Sequence, residues 1–121
     1  MIRLDDIDTL TATIYRGQDV TFILTVYEPD GSSAVASGTT FGFTLRAAEN
    51  DTATALATLS IGSGITANSS TGEVTIALSD TVTATLTADT TYYAQLWRND
   101  SGVKAAIARF EIYVKNRATV I

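Results

Sequence analysis

Residues 19–28 read DVTFILTVYE, and this stretch decides the fold class. Apolar residues occupy every second position, namely Val20, Phe22, Leu24 and Val26. Because successive side chains of a β-strand point to opposite faces, the pattern predicts a strand with one apolar face and one polar face. Ile23 breaks the pattern, since it falls on the polar face. A strand of this kind must cover its apolar face with a second layer.

The same period of two recurs along the chain, with a turn signal about every ten residues. Further strands are predicted over 8–15, 40–47, 54–61, 73–78, 91–98 and 103–115, with a short helical turn over 81–86 that Ser79-Asp80 could cap. Seven to eight such strands predict an all-β fold, a two-sheet antiparallel β-sandwich, with a small barrel as the alternative. Residues 1–121 are expected to form one domain, with a short N-terminal arm (about 1–8) and a C-terminal tail (about 116–121).

Composition excludes several classes of function. The 121 residues contain neither Cys nor His, so a thiolate nucleophile, a Ser-His-Asp triad and a zinc-finger site are impossible. A net charge of −5 without a basic cluster argues against nucleic-acid binding. The first residues lack a signal-peptide pattern, and no apolar run reaches the length of a membrane helix. We therefore expect no enzymatic activity, no cofactor, no nucleic-acid partner and no membrane partner.

Two acidic features could suggest chemistry, but both have simpler interpretations. The cluster Asp5, Asp6 and Asp8 has the ligand type that Ca²⁺ prefers, yet it lacks the glycine and the spacing of a calcium loop. A solvated N-terminus is the better interpretation, and no metal site is predicted. The second feature is a pair of carboxylates, such as Asp80 with Asp89 or Asp30 with Asp100, of the kind that glycosidases use. Carboxylates in turns are ordinary structure, however, because Asp binds nearby backbone groups.

The candidate binding residues are aromatic. If the apolar positions of strand 91–98 face the core, then Tyr93 and Trp97 face outward, and Tyr113 on the last strand lies near them. The reversed phase would bury Gln95 and expose Leu96, so the outward orientation is preferred. Trp and Tyr are enriched at interface hot spots.

The spacing of Asp89, Thr91 and Tyr93 also matches a tyrosine corner, in which Gln95 replaces the expected Cys.

Three apolar residues outside the core pattern complete the candidate set. Ile23 is predicted to lie on an outer face, and Ile2 and Leu4 give the N-terminal arm something to bury against a neighbouring subunit. The Val120-Ile121 tail is a similar candidate.

The order of short motifs resembles a known family. In chain order these motifs are GQD at 17–19 before the strand VTFILTV, DG at 30–31, SG at 37–38, FGFTLR at 41–46, GEVTI at 72–76, TYYAQLW at 91–97, DSG at 100–102 and ARFEIYV at 108–114. This order is similar to the immunoglobulin-like domain of tailed-bacteriophage virion proteins, such as baseplate upper proteins, head-fibre and head-spike proteins and tail adaptors. The resemblance covers residues 16 to 115.

The resemblance implies an immunoglobulin-like sandwich and a non-enzymatic role in the virion. The usual Asp-Leu-Thr-Gly stretch is Val-Ala-Ser-Gly at 35–38 in this chain, and these 121 residues include no fibre or receptor-binding segment. We therefore expect a capsid decoration or head-spike base protein, or a tail or baseplate adaptor. Its expected partners are capsid, tail or baseplate subunits, in repeated copies of a symmetric assembly; it would be made in the host cytoplasm and reside in the virion. The alternative is a carbohydrate-binding module that uses Trp97 and Tyr93 as a stacking platform.

Overall fold

The computed structural model describes residues 8–26, 39–48, 54–68, 70–100 and 102–116. In chain order its elements are β1 Asp8–Tyr15, β2 Val20–Thr25, β3 Thr40–Arg46, β4 Ala55–Ile61, β5 Gly64–Asn68, β6 Glu73–Leu78, α1 Asp80–Ala84, β7 Thr90–Asp100 and β8 Val103–Lys115. The DG motif at 30–31, the arm residues Ile2 and Leu4, and the tail beyond residue 116 lie outside the described residues.

The strands are hydrogen-bonded in the order β1-β8-β7-β3-β4-β5-β6-β2. In a flat sheet, β8 and β2 would lie roughly 29 Å apart, since neighbouring strands are about 4.8 Å apart. The ring centroids of Phe110 on β8 and Phe22 on β2 are instead 5.3 Å apart. The strands therefore form two layers, a first sheet of β1, β8, β7, β3 and β4 and a second sheet of β5, β6 and β2. Within the described residues β1 and β2 do not pair with each other, so the alternative of a closed barrel is wrong.

The pairing is antiparallel with two exceptions. β1 runs parallel to β8 over eight residue pairs, and β4 and β5 share a parallel bridge of two pairs. That short bridge joins the two sheets at one edge of the sandwich.

The core lies between the sheets and draws on the apolar face of every strand. Its fully buried members include Phe43, Leu45, Ile65, Ile76, Leu96 and Ile112. Phe43 meets Phe110 edge-on, with ring centroids 5.4 Å apart. The prediction that the apolar positions of β7 face the core is thus confirmed, and β3, β6 and β8 bury their alternate apolar positions in the same way.

A tyrosine corner joins the two sheets, but it uses a different residue from the one whose spacing suggested it. The Tyr92 hydroxyl accepts a hydrogen bond from the Thr87 backbone N–H at 2.8 Å. Tyr93 points to the other face of β7. Ala94, two residues after Tyr92, is buried at the position that holds Cys in antibody domains. The strand order and this corner make the fold an immunoglobulin-like sandwich.

The turn after β1 is fastened to the α1 segment at the same end of the sandwich. The Arg16 guanidinium donates to the Leu86 carbonyl at 2.6 Å and to the Ala84 carbonyl at 3.1 Å. The Asp19 carboxylate accepts from the Asp80 N–H at 2.8 Å, where the helix begins. Helix ends leave such groups without partners inside the helix, so these side chains satisfy both ends of a helix too short to be stable alone.

Candidate functional site

The candidate site is the outer face of the first sheet. On β7 the exposed fractions of Tyr92, Ala94 and Leu96 are 6%, 4% and 0%, whereas Tyr93, Gln95 and Trp97 are partly exposed. The predicted outward orientation of Trp97 and Tyr93 is therefore confirmed.

Neighbouring strands place polar side chains beside these residues. In register, Tyr93 lies between Arg46 of β3 and Glu111 of β8. Gln95 lies next to Arg109 of β8. Side chains in one cross-strand row lie on the same face and within reach of each other. The face therefore combines aromatic rings with two guanidinium groups, a carboxamide and a carboxylate.

Trp97 occupies a gap between two small residues. Its register partners are Gly42 on β3 and Ala106 on β8. A Cβ atom added at Gly42 would make one ordinary contact, 3.7 Å from the Leu59 carbonyl oxygen, and would meet no side chain within 4 Å. The indole is therefore not enclosed by bulky cross-strand neighbours, which leaves a ring that a ligand can contact.

These residues line a concave space of about 330 Å³ on the sheet surface. The residues that line it include Tyr93, Trp97, Arg46, Arg109 and Glu111. This volume is at the low end of the range for small-molecule sites. It suits one protruding side chain or one sugar ring. Arg forms paired hydrogen bonds with carboxylates, and both Arg and Trp rank among the residues that dominate binding energy.

Tyr113 lies on the same face, farther along β8 from Trp97. Its hydroxyl donates to the Asp89 carboxylate at 3.2 Å. Desolvation, followed by this hydrogen bond and the negative charge of Asp89, raises the pKa of Tyr113 above its ordinary value of 10.0. Asp89 itself has a φ of 59°, in the left-handed region that Asp tolerates better than most residues. Tyr113 is therefore held by the turn before β7 and does not line the concave space around Trp97.

The structure does not bring all the predicted residues together. Ile23 is 62% exposed, as expected of an outward residue, but it lies on the second sheet, opposite Thr75 of β6. Ile2 and Leu4 lie outside the described residues. The aromatic face and Ile23 are therefore two separate surfaces.

Arg46, Arg109 and Glu111 belong to the site but are not predicted by the sequence. The alternation of β8 does place Arg109 and Glu111 on the outer face, where charged residues alone indicate no more than a solvated strand surface. The missing signal is the register between β7 and β8, which decides which of these charges lies beside which aromatic ring.

Two features of the described residues bear on chemistry and on membranes. Residues 8–26, 39–48, 54–68, 70–100 and 102–116 contain no group of three His, Cys, Asp or Glu side chains arranged to hold a metal ion. Over those same ranges, α1 is far too short to cross a bilayer, and there is no other helix that is long and apolar enough to do so.

Comparison with known proteins identifies similar solved structures but no family. Neither a protein-family description nor a curated protein matches the chain. One similar chain comes from a structure-based photo-crosslinking study of multimeric cell-adhesive interactions of VGSC beta subunits; it is 12% identical over 98% of this chain and 100% of that chain, with a TM-score of 0.48. Another is the second Ig domain of the mouse polymeric immunoglobulin receptor, 10% identical over 93% of this chain and 100% of that chain, with a TM-score of 0.45. Likenesses this distant carry no argument about function.

Proposed function

We propose that this protein is a non-enzymatic structural protein of a tailed-bacteriophage virion that binds a neighbouring virion protein through the outer face of its first sheet. The observation that carries the proposal is the concave space of about 330 Å³ between Trp97, Tyr93 and Arg109. The motif order from residue 16 to residue 115 supports the choice of virion proteins.

Binding would work through burial of a small apolar and polar centre. A protruding side chain of the partner would fill the space beside Trp97, and the indole would lose water on burial. Arg46 and Arg109 would then pair with carboxylates or backbone carbonyls at the rim. Where copies are joined to one another in the particle, several such contacts act together, so a modest affinity for each contact is sufficient.

The first test is the abundance of the protein in purified virions. Quantitative mass spectrometry against the major capsid protein gives the copy number. A number near that of the capsid subunit supports a capsid decoration or head-spike base, and a few copies per particle support a tail or baseplate adaptor. Absence from the particle contradicts the virion role.

The second test addresses the face itself. We expect Trp97→Ala to weaken binding to isolated virion subunits by at least tenfold, because hot-spot aromatics typically contribute about 2 kcal/mol or more. Leu56→Ala is the matched control, since Leu56 is an exposed apolar residue on β4 that does not line the concave space. Circular dichroism should show that both variants keep the fold, because Trp97 lies outside the core. Equal binding by both variants would contradict the proposed face.

A carbohydrate-binding module is the second candidate. A partly exposed indole beside Gln95 and Glu111 is an arrangement that can stack on a sugar ring and hydrogen-bond its hydroxyls. Trp97 is the only tryptophan in the chain, so its fluorescence reports on this face alone. A saturable change of that fluorescence with a glycan, but not with virion subunits, would favour this candidate over the first.

A further inference from the structure

Among the described strands, β2 ends the sheet order and has a neighbour on one side alone. Within the described residues it pairs with β6 on one side, and no strand pairs with its other side. Its sequence, VTFILT over Val20–Thr25, contains no charge and no proline, and its register with β6 has no bulge. Proteins normally use those devices to prevent an edge strand from pairing with another chain.

The apolar residues of β2 are also incompletely covered. Its inward residues Val20, Phe22 and Leu24 are partly exposed, whereas the inward residues of the adjacent β6 are almost fully buried. On the outer side, Ile23 is 62% exposed. A strand added at this edge would therefore bury apolar surface on both faces of the second sheet.

The sequence of β2 suits an identical partner. In an antiparallel pair centred on Ile23, the isoleucine would face its own copy, Thr21 would face Thr25 and Phe22 would face Leu24. Every pair then keeps outer residues on the outer face and inner residues on the inner face. No two like charges would be opposed, although each chain carries a net charge of −5.

β1, at the other end of the sheet order, has a less apolar outer face. On β1 the outward positions Thr9, Thr11 and Thr13 are polar, and only Tyr15 at the end of the strand is an exposed large hydrophobic, at 41%. Its inward residues Leu10 and Ala12 are partly exposed, as on β2, whereas Ile14 is buried. A strand added there would cover part of Leu10, Ala12 and Tyr15, but on the outer face it would meet no aliphatic side chain as exposed as Ile23. The edge of β2 is therefore the better docking site.

We propose that two copies of this chain associate through antiparallel pairing of their β2 edges about a two-fold axis at Ile23. The proposal does not depend on the proposed function, because it uses the second sheet and leaves Trp97 free. A two-fold axis makes the interface self-complementary and closes the assembly at a dimer.

A cysteine at the axis tests this geometry directly. The chain has no cysteine, so Ile23→Cys introduces a single thiol that would face its own copy. We expect at least tenfold faster disulfide dimer formation under mild oxidation than for Leu56→Cys, an exposed control site on β4. Equal rates for the two variants would mean random collision and would overturn the proposal.

Introducing a charge at the same position supplies a second test. Sedimentation should show a dimer for the unmodified chain and monomers for Ile23→Lys and for Ile23→Glu, because each places like charges across the axis. An equimolar mixture of the two variants should restore the dimer. Leu56→Lys should leave the dimer intact, and circular dichroism checks that all variants are folded. A monomeric unmodified chain, or a dimer that Ile23→Lys leaves unchanged, would overturn the proposal.

Discussion

The tyrosine corner gives the sharpest test of how this fold is held together. Tyr92→Phe removes one oxygen atom, the acceptor of the 2.8 Å hydrogen bond from the Thr87 N–H. The aromatic ring stays, so the core volume is unchanged. Only the tie between β7 and the segment after α1 is lost.

The cost follows from the surroundings of the N–H group. Losing a hydrogen bond and leaving a buried donor without an acceptor costs about 1–3 kcal/mol. The bond is only part-buried, and the Thr87 side chain is exposed, so water can take over some of the lost bonding. We therefore expect a loss of about 1–2 kcal/mol in the free energy of unfolding, which is roughly 4 to 8 °C in Tm for a chain of this length.

Equilibrium denaturation in urea and thermal melting followed by circular dichroism would measure the loss. Tyr93→Phe is the matched control, because it makes the same chemical change one residue later, on the outer face of β7. We expect that control to change the free energy of unfolding by less than about 0.5 kcal/mol, as surface substitutions usually do. If Tyr93→Phe destabilised the protein as much as Tyr92→Phe, the assignment of Tyr92 to the inner face of β7 and Tyr93 to the outer face would be wrong.

Three further changes test other parts of the sandwich. Arg16→Ala removes the donors at the carboxyl end of α1 and should lower the free energy of unfolding by about 1–2 kcal/mol in urea denaturation, whereas an unchanged value would mean that water replaces the guanidinium. Asp89→Asn should lower the pKa of Tyr113 toward its ordinary value, because the negative charge that favours the neutral phenol is gone; ¹³C NMR titration of the tyrosines would detect it, and an unchanged pKa would mean that desolvation alone sets the value. Gly64→Ala should lower Tm more than Gly62→Ala, because both glycines have a positive φ but only at Gly64 would the new methyl group approach another side chain, at 2.8 Å. Equal losses would mean that backbone strain accounts for the whole cost.

Much of the fold is predictable from alternation alone. The 8–15, 73–78 and 103–115 strands have the predicted bounds, and the helical turn predicted over 81–86 is present as α1, which covers Asp80–Ala84 and is capped by Ser79. Alternation is informative in this chain because most strands have one side in the core and the other in water. It also orients Trp97 correctly, since the inward residues around it are apolar.

Alternation does not predict the way the strands meet. β5 escapes prediction because its five residues begin with Gly64 and end with Asn68, two residue types that are typical of turns, and its single buried residue, Ile65, does not establish an alternation. The parallel pairing of β1 with β8 leaves no local signal either. The predicted site is incomplete for a similar reason. The register of β7 and β8 shifts between Leu96 and Trp97. If the residue pairs were counted from the hairpin without that shift, Phe110 and not Glu111 would lie opposite Tyr93.

The two proposed surfaces make separable contributions to attachment. A dimer joined at the β2 edges would leave the Trp97 face of each copy free, so one dimer could engage two partner sites. On a surface with repeated partner subunits, Ile23→Lys should therefore weaken attachment through loss of the second contact, while binding to a single isolated subunit should be unchanged. Trp97→Ala should weaken both, since every contact uses that face. Surface plasmon resonance at high and low densities of immobilised partner would distinguish these outcomes. If Ile23→Lys weakened binding to the isolated subunit as well, the second sheet would belong to the partner interface and the division into two surfaces would be wrong.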